Sequence, residues 1–167
     1  MNYVVLLGGN IGDRESYLEN ALTMIKSLCG SLVSSSSLYE SKAWGKEDQK
    51  DFLNQVIVVN SELSPERFLE TILAIEKDLG RVRYKKWGER VIDIDILYVD
   101  DLVINTKFLK VPHPFIQDRR FTLVPLTELV PDFTHPILSK TQVELLLDCK
   151  DELEVKKNKI YFVHYQG

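Results

Sequence analysis

Cysteine is scarce in this chain of 167 residues, since only Cys29 and Cys149 occur and they form no close motif. Two cysteines are too few for a dense disulfide framework. The lack of a close motif favours a reducing compartment or simple core packing. Long apolar runs are missing too, because none approaches the roughly 20 residues needed to cross a bilayer. The opening stretch, MNYVVLLGGN, has no basic region before its short apolar run, so we expect no signal peptide. The sequence therefore predicts a cytoplasmic protein with no membrane partner.

An excess of positive charge is also lacking. The chain has 21 Lys and Arg against 25 Asp and Glu, a net charge of −4, which argues against a general nucleic-acid binder. The phosphate-binding motif G-x-x-x-x-G-K-[ST] is absent. The segment GGNIGD, residues 8–13, follows a predicted strand and precedes a predicted helix, but it lacks the G-x-G-x-x-G spacing. We interpret it as a glycine turn that lets the chain reverse.

The pattern of apolar residues predicts one α+β domain over residues 1–167. Strands are expected at 3–7, around the serines 34–37, at 51–59 and after 91. We expect one helix over 14–28, capped by Asp13, and a second that Ser64 and Pro65 open and Gly80 closes. After a turn at Asp100-Asp101, residues 102–105 should form a short partner strand for the preceding one.

This order of elements is β-α-β-β-α-β. It predicts a ferredoxin-like sandwich with a mainly antiparallel sheet and flanking helices on one face. Five prolines from residue 112 to residue 136 predict a loop-rich C-terminal part with short helices.

The most informative stretch is RVIDIDILYVD, residues 90–100, in which isoleucines alternate with Asp93 and Asp95. Alternation of this kind predicts a half-buried strand. Alternate residues of a strand lie roughly 6.6 Å apart on the same side. Two carboxylates at that spacing repel each other, so a cationic group is expected close to them.

A basic segment precedes this strand, with Arg81, Arg83, Lys85, Lys86 and Arg90 within ten residues. Taken alone, either the charge run or the acidic strand could be a solvated surface. Together they indicate a magnesium–nucleotide site, because Mg²⁺ is typically bound by one or two carboxylates plus substrate phosphates. Two metal ions in such a site lie roughly 3.5–4 Å apart, which neighbouring aspartates can bracket. Arginines would neutralise the remaining phosphate charge.

The stretch KWGERVIDIDIL, residues 86–97, resembles the signature of the 6-hydroxymethyl-7,8-dihydropterin pyrophosphokinase family. The resemblance continues in order through LLGGNIGDR (6–14), YESKAWGKEDQKDFLN (39–54), IEKDLGRVR (75–83), VPHP (111–114) and DRRFTLVPLTELVP (118–131). It implies a folate-pathway enzyme that transfers pyrophosphate from ATP to a pterin alcohol. The implied partners are these small molecules, with two Mg²⁺ ions as cofactors. We expect a monomer or a weak homodimer that binds no nucleic acid.

The resemblance also implies roles for individual residues. The metal pair is Asp93 and Asp95, which count as catalytic together with Arg81 and Arg90. Nucleotide contacts are implied for Glu76, Arg81, Arg83, Trp87, Arg90, Ile96, His113 and Arg119. Pterin contacts are implied for Ser41, Lys42, Trp44, Phe52, Asn54, Trp87 and Phe121. Two phenylalanines could stack on both faces of a pterin, and an Asn amide can both donate and accept along its edge. Core packing is the alternative for each Phe.

Some positions depart from the family pattern, namely Gly9, Leu73, Phe108 and Lys110, and they affect the expected nucleotide contacts. The segment 81–90 is expected to be a loop that closes over both substrates. Two other functions remain open from the residues alone. One is a palm-type nucleotidyl transferase or cyclase, which also uses paired aspartates. The other is an RNA-binding module of similar topology, although the aromatic strand motif expected for it is absent.

Overall fold

A single antiparallel sheet organises the molecule, whose computed structural model describes residues 1–42, 50–80 and 91–158. Its strands are β1 (Asn2–Gly9), β2 (Ser31–Ser35), β3 (Tyr39–Ser41), β4 (Phe52–Asn60), β5 (Asp93–Val99) and β8 (Val155–Lys157). They lie in the order β5-β1-β4-β3-β8, with β2 also paired to β4. The strand β3 pairs with the first residues of β4 and β2 with its last ones. Both therefore share one edge of a single long strand.

Helices cover the sheet, and the first two begin where the sequence predicts. They are α1 (Arg14–Leu28), α2 (Pro65–Asp78), α3 (Arg120–Leu129) and α4 (Gln142–Asp148), with a short 3-10 helix at Ile116–Asp118. Asp13 caps α1 by accepting from the Ser16 N–H, and Ser64 caps α2 by accepting from the Arg67 N–H. Gly80 follows α2 with φ of 96°, a conformation that favours glycine just past a helix end. The predicted bounds of these two long helices are confirmed.

Apolar residues form a core on each face of the sheet. On one face α1 and α2 bury Leu18, Ile25, Phe68 and Ile72 against alternate residues of the central strands. On the other face α3, α4 and the 3-10 helix cover the intervening residues, which include Val4, Leu6, Val56 and Val58. The two long helices therefore share one face, as predicted, and the short C-terminal helices add a second layer. Within the described ranges, no helix has the length and apolarity needed to span a membrane.

Two strand predictions need correction. Residues 102–105 do not pair with the acidic strand, because β6 (Ile104–Asn105) pairs with β7 (Lys110–Val111) in a separate hairpin. A tight turn, in which Asp100 has φ of 45° and Leu102 donates to the Val99 carbonyl, directs the chain off the sheet. At this edge of β5, the Leu97 carbonyl instead accepts a hydrogen bond from the His113 N–H.

Only the first two residues of the serine run 34–37 lie in a strand. Ser34 and Ser35 end β2, whereas the Ser36 hydroxyl accepts from the Val56 N–H and Ser37 donates twice to the Glu128 carboxylate. These side-chain hydrogen bonds compete with the strand ladder and interrupt it before β3 begins.

Candidate functional site

The acidic strand β5 directs its two carboxylates to one face of the sheet. Ile92, Ile94 and Ile96 are buried in the core that α1 and α2 cover, so Asp93 and Asp95 project from the opposite face. Both aspartates are half-buried. In register, Asp93 pairs with Gly8 and Asp95 pairs with Leu6 of β1. The predicted alternation along this strand is confirmed.

A cleft of about 460 Å³ runs along the outer edge of β5. It is lined by six residues that the resemblance assigns to nucleotide or metal: Glu76, Asp93, Asp95, Ile96, His113 and Arg119. They come from α2, β5 and the segment before α3, which are distant in sequence. Leu73, Phe108 and Lys110, which depart from the family pattern, also line the cleft.

Glu76 ties α2 to the edge of β5. It is 1% exposed, and its Oε2 accepts the Ile94 N–H at 2.8 Å. This N–H points away from β1, because its acceptor belongs to α2. Backbone groups alternate in direction along a regular strand. Ile96, two residues further on, lines the cleft, and the β1–β5 register shifts directly after it. The glutamate thus supports the wall of the cleft at the strand edge.

His113 is fixed at its backbone and on its ring. Its N–H donates to the Leu97 carbonyl at 2.9 Å, and its Nδ1 accepts from the Phe115 N–H at 3.2 Å. Burial, together with the positive charge of Arg119, lowers the pKa of His113 to about 4, against an opposing effect of Asp93. The ring is therefore neutral at pH 7. Because Nδ1 is an acceptor, Nε2 carries the proton and can donate.

Arg119 supplies a cation to the cleft. Its guanidinium carbon lies 4.9 Å from the Phe115 ring centroid and 5.7 Å from that of Phe121. Both distances fall within the range of a cation–π contact. The side chain is thereby held between two aromatic rings at the start of α3, with Lys110 as a second cation in the cleft lining.

A second group of predicted residues lies on the same sheet face, across β1 from the aspartates. The Asn54 amide donates to the Ser41 hydroxyl at 2.9 Å, and the two residues are 3% and 4% exposed. Phe52 is half-buried at the start of β4, two residues before Asn54 and on its face. Phe121 is half-buried in the first turn of α3, which packs over that face. Lys42 is exposed at the end of β3.

Gly8 lies between the two groups of candidate site residues, a position that the sequence does not reveal. It lies inside β1, paired with Asn54 on one side and with Asp93 on the other. A Cβ at this position would lie 2.5 Å from the Asn54 Oδ1, closer than such atoms can approach. The available signal was a glycine within a strand, which often marks close approach by another group. The interpretation of residues 8–13 as a turn is wrong for Gly8, which lies in β1.

Several predicted residues lie outside the described ranges: Trp44, Arg81, Arg83, Trp87 and Arg90. Their roles stay predictions. Among the residues that are described, no group of three or more His, Cys, Asp or Glu could hold a metal ion. The Asp93–Asp95 pair matches the one or two protein carboxylates that typically bind Mg²⁺, which keeps waters and substrate phosphates as its other ligands.

Both cysteines are free thiols, and burial raises the pKa of Cys29 to about 11.

Comparison with known families gives one match over most of the chain. Residues 4–131 match the model of 7,8-dihydro-6-hydroxymethylpterin-pyrophosphokinase (HPPK). The 2-amino-4-hydroxy-6-hydroxymethyldihydropteridine pyrophosphokinase of Aquifex aeolicus is 47% identical over 134 residues, which cover 80% of this chain and 83% of that protein. The enzyme of the same name from Haemophilus influenzae is 37% identical over 155 residues, covering 92% and 96%.

Solved structures give the same fold. The HPPK-DHPS A437G protein of Plasmodium falciparum, with STZ-DHP, superposes with a TM-score of 0.73 at 20% identity. The match covers 88% of this chain but only 45% of that one. At this identity the likeness concerns the fold, a mixed α/β unit with an antiparallel sheet and flanking helices.

Proposed function

Because the chain belongs to the 7,8-dihydro-6-hydroxymethylpterin-pyrophosphokinase family, we propose that it transfers pyrophosphate from ATP to 6-hydroxymethyl-7,8-dihydropterin. The product is the pterin diphosphate and the nucleotide released is AMP, a transferase step of folate biosynthesis. One observation carries this reading. Asp93, Gly8 and Asn54 form a row across β5, β1 and β4. Two strand spacings separate the carboxylate residue from the amide residue, which is about 10 Å between Cα atoms.

That row suits two substrates that must react with each other. A pterin whose edge is bound by Asn54 would direct its hydroxymethyl group across Gly8 toward Asp93. Phosphates in the cleft along β5 would approach from the other side. Gly8 leaves this path open because it carries no side chain. The proposed step is an in-line attack of the hydroxymethyl oxygen on the β-phosphorus, with AMP leaving.

The donors on β5 fit magnesium. Asp93 and Asp95 are carboxylates on one sheet face, both line the cleft, and hard oxygen ligands suit Mg²⁺. We propose that they hold up to two ions, whose chemistry would be to offset phosphate charge and polarise the reacting oxygens. The cleft also contains Arg119 and Lys110. Their positive charges would offset the negative phosphate charge that the metal ions do not neutralise.

The protein's own contribution to this reaction is positioning and charge. Phosphoryl transfer leaves little covalent work to side chains, so holding two substrates in line can supply most of the acceleration. Asn54 and Ser41 would bind the pterin edge, with Phe52 and Phe121 stacking on its faces and Lys42 at the rim. His113 is neutral and can donate from Nε2 to a phosphate oxygen without adding charge.

The nucleotide base would bind at the outer edge of β5. Ile96 lines the cleft there, and its main chain would contact the adenine edge. Glu76 would act on this region through Ile94 rather than through the ligand, since its Oε2 binds that N–H. Arg81, Arg83, Arg90 and Trp87 would complete the phosphate side, and Trp44 with Trp87 the pterin side.

Other features of the proposal rest on composition and strand order. The order β5-β1-β4 followed by β2 and β3 supports a ferredoxin-like classification. We propose a single domain over residues 1–167 that acts in the cytoplasm as a monomer or weak homodimer, without nucleic acid. The family match does not favour a nucleotidyl transferase, a cyclase or an RNA-binding module.

The nucleotide product tests the reaction. The protein is incubated with MgATP and the pterin alcohol, and nucleotides are separated by chromatography. AMP formed in equal amount to pterin diphosphate is the expected result. ADP would indicate a single phosphoryl transfer, and free pyrophosphate with a nucleotidylated product would indicate attack at the α-phosphorus. Either outcome, or no turnover, would contradict the proposal.

A further inference from the structure

The segment GGNIGDR, residues 8–14, contacts the chain that leads into β4. Asn10 is 1% exposed, and its Nδ2 donates to the Lys50 carbonyl at 3.0 Å. Arg14 donates from Nη1 to the Asp51 carbonyl at 2.9 Å. Two side chains of one motif therefore bind the two main-chain carbonyls that immediately precede Phe52.

Arg14 also reaches the neighbouring strand. Its Nη2 lies 3.0 Å from Glu40 Oε1, so the guanidinium connects the entry of β4 to β3. Glu40 adjoins Ser41, and Ser41 pairs in register with Phe52. The fork of Arg14 thus fixes the spacing between two strands at the point where Ser41 and Asn54 form their hydrogen bond.

These contacts are not needed for the turn itself. Gly12, with φ of 65°, allows the chain to reverse, and Asp13 caps α1. Neither function uses the side chain of Asn10 or Arg14. A buried amide and a two-armed guanidinium directed at residues 40, 50 and 51 indicate a separate role at that location.

We propose that Asn10 and Arg14 are positioning residues for the pterin subsite. By holding the carbonyls of Lys50 and Asp51, they set the position of Phe52 relative to Asn54. The motif that looks like a simple glycine turn therefore acts on substrate affinity through the strand it holds. The inference deepens the proposed function and depends on the pterin being the ligand of Phe52.

The test separates the two substrates. We expect Asn10→Ala and Arg14→Ala each to raise the KM for the pterin roughly ten-fold, the scale of one net hydrogen bond. The KM for ATP should stay unchanged. Matched controls are Asn60→Ala, at the far end of β4, and Arg67→Ala, exposed on α2. Both controls should leave both KM values unchanged.

A double-mutant cycle distinguishes positioning from a general loss of structure. If Asn10 acts through Phe52, Asn10→Ala should add little to the pterin affinity loss already caused by Phe52→Ala. Additive losses would overturn the proposal, as would an unchanged pterin KM or an equal rise in both KM values. If Arg14→Ala does not fold, Arg14→Lys replaces it, since Lys keeps the charge near Glu40 but lacks the fork.

Failure of this inference can be told from failure of the proposed function. A wild-type protein that releases no AMP from MgATP and pterin contradicts the function. A wild-type protein that releases AMP, with variants whose pterin KM is normal, contradicts only the positioning role.

Discussion

Gly8 separates the two halves of the proposed site, since it pairs with Asp93 on one side and with Asn54 on the other. The position of the Asn54 side chain depends on residue 8 having no side chain of its own. The Asn54 amide occupies the space that a side chain at residue 8 would need. The residues that matter at this scale are therefore two carboxylates, one amide and the glycine that lets them face a common space.

Asp95→Asn should lower turnover by at least roughly 100-fold, the scale on which losing one electrostatic stabiliser lowers kcat. The substitution is nearly isosteric but removes the charge that a metal ion requires. The free energy of unfolding should change by less than about 1 kcal/mol, as is usual for a half-exposed site. Asp101→Asn, in the exposed turn after β5, is the matched control. Steady-state kinetics at saturating Mg²⁺ check this, and near-normal turnover would remove Asp95 from the metal pair.

Gly8→Ala should displace the Asn54 amide and break its hydrogen bond to Ser41. The added Cβ would lie 2.5 Å from the Asn54 Oδ1, so the amide must rotate away. We expect weaker pterin binding, by about 1–3 kcal/mol, the cost of leaving a buried polar group unsatisfied. Calorimetric titration with the pterin and a non-hydrolysable ATP analogue measures it. Unchanged affinity in a folded variant would show that the Asn54 amide does not recognise the pterin.

At the scale of elements, the acidic strand depends on helix α2 as well as on its strand partner. Glu76 accepts the N–H of Ile94, the residue that lies between the two aspartates. The sequence predicts α2, its cap and the alternation of β5, because these follow from local spacing. It does not predict that the glutamate binds the strand edge, because that contact joins residues 18 positions apart through tertiary packing.

Glu76→Ala should therefore destabilise the fold and the metal site together. The Ile94 N–H would be buried without its acceptor, at a cost of about 1–3 kcal/mol. Glu76→Gln keeps a carbonyl acceptor and should recover most of the stability. Urea unfolding gives the free energies, and the Mg²⁺ concentration at half-maximal activity reports on the aspartates. Equal behaviour of the Ala and Gln variants would contradict this role.

The turn before α4 should make stability depend on pH. His135 is 4% exposed, its Nδ1 accepts from the Ile137 and Leu138 N–H groups, and burial lowers its pKa from 6.5. Below pH 6.5 the unfolded chain binds a proton at His135 that the folded chain does not, so stability falls as the pH drops. His135→Gln removes this contribution. Its unfolding free energy should fall less steeply between pH 7 and pH 5 than that of the wild type, and equal slopes would contradict the account.

At the scale of the whole molecule, one sheet serves two purposes. The face covered by α1 and α2 is mostly core, whereas the other face is core at one end and site at the other. Strand periodicity predicts which residues of one strand share a face, so the pairing of Asp93 with Asp95 and that of Phe52 with Asn54 could be expected from sequence. Their order across the sheet could not, because register and strand order depend on long-range pairing. The prediction that residues 102–105 pair with β5 is wrong for the same reason.

The structure of the ternary complex tests the central claim most directly, namely that one sheet face binds both substrates on either side of Gly8. Crystals would be grown with Mg²⁺, a non-hydrolysable ATP analogue and the pterin alcohol. The account predicts the pterin between Phe52 and Phe121 with its edge on Asn54, and the β- and γ-phosphates beside Asp93 and Asp95. A pterin bound elsewhere, or phosphates remote from the two aspartates, would contradict it.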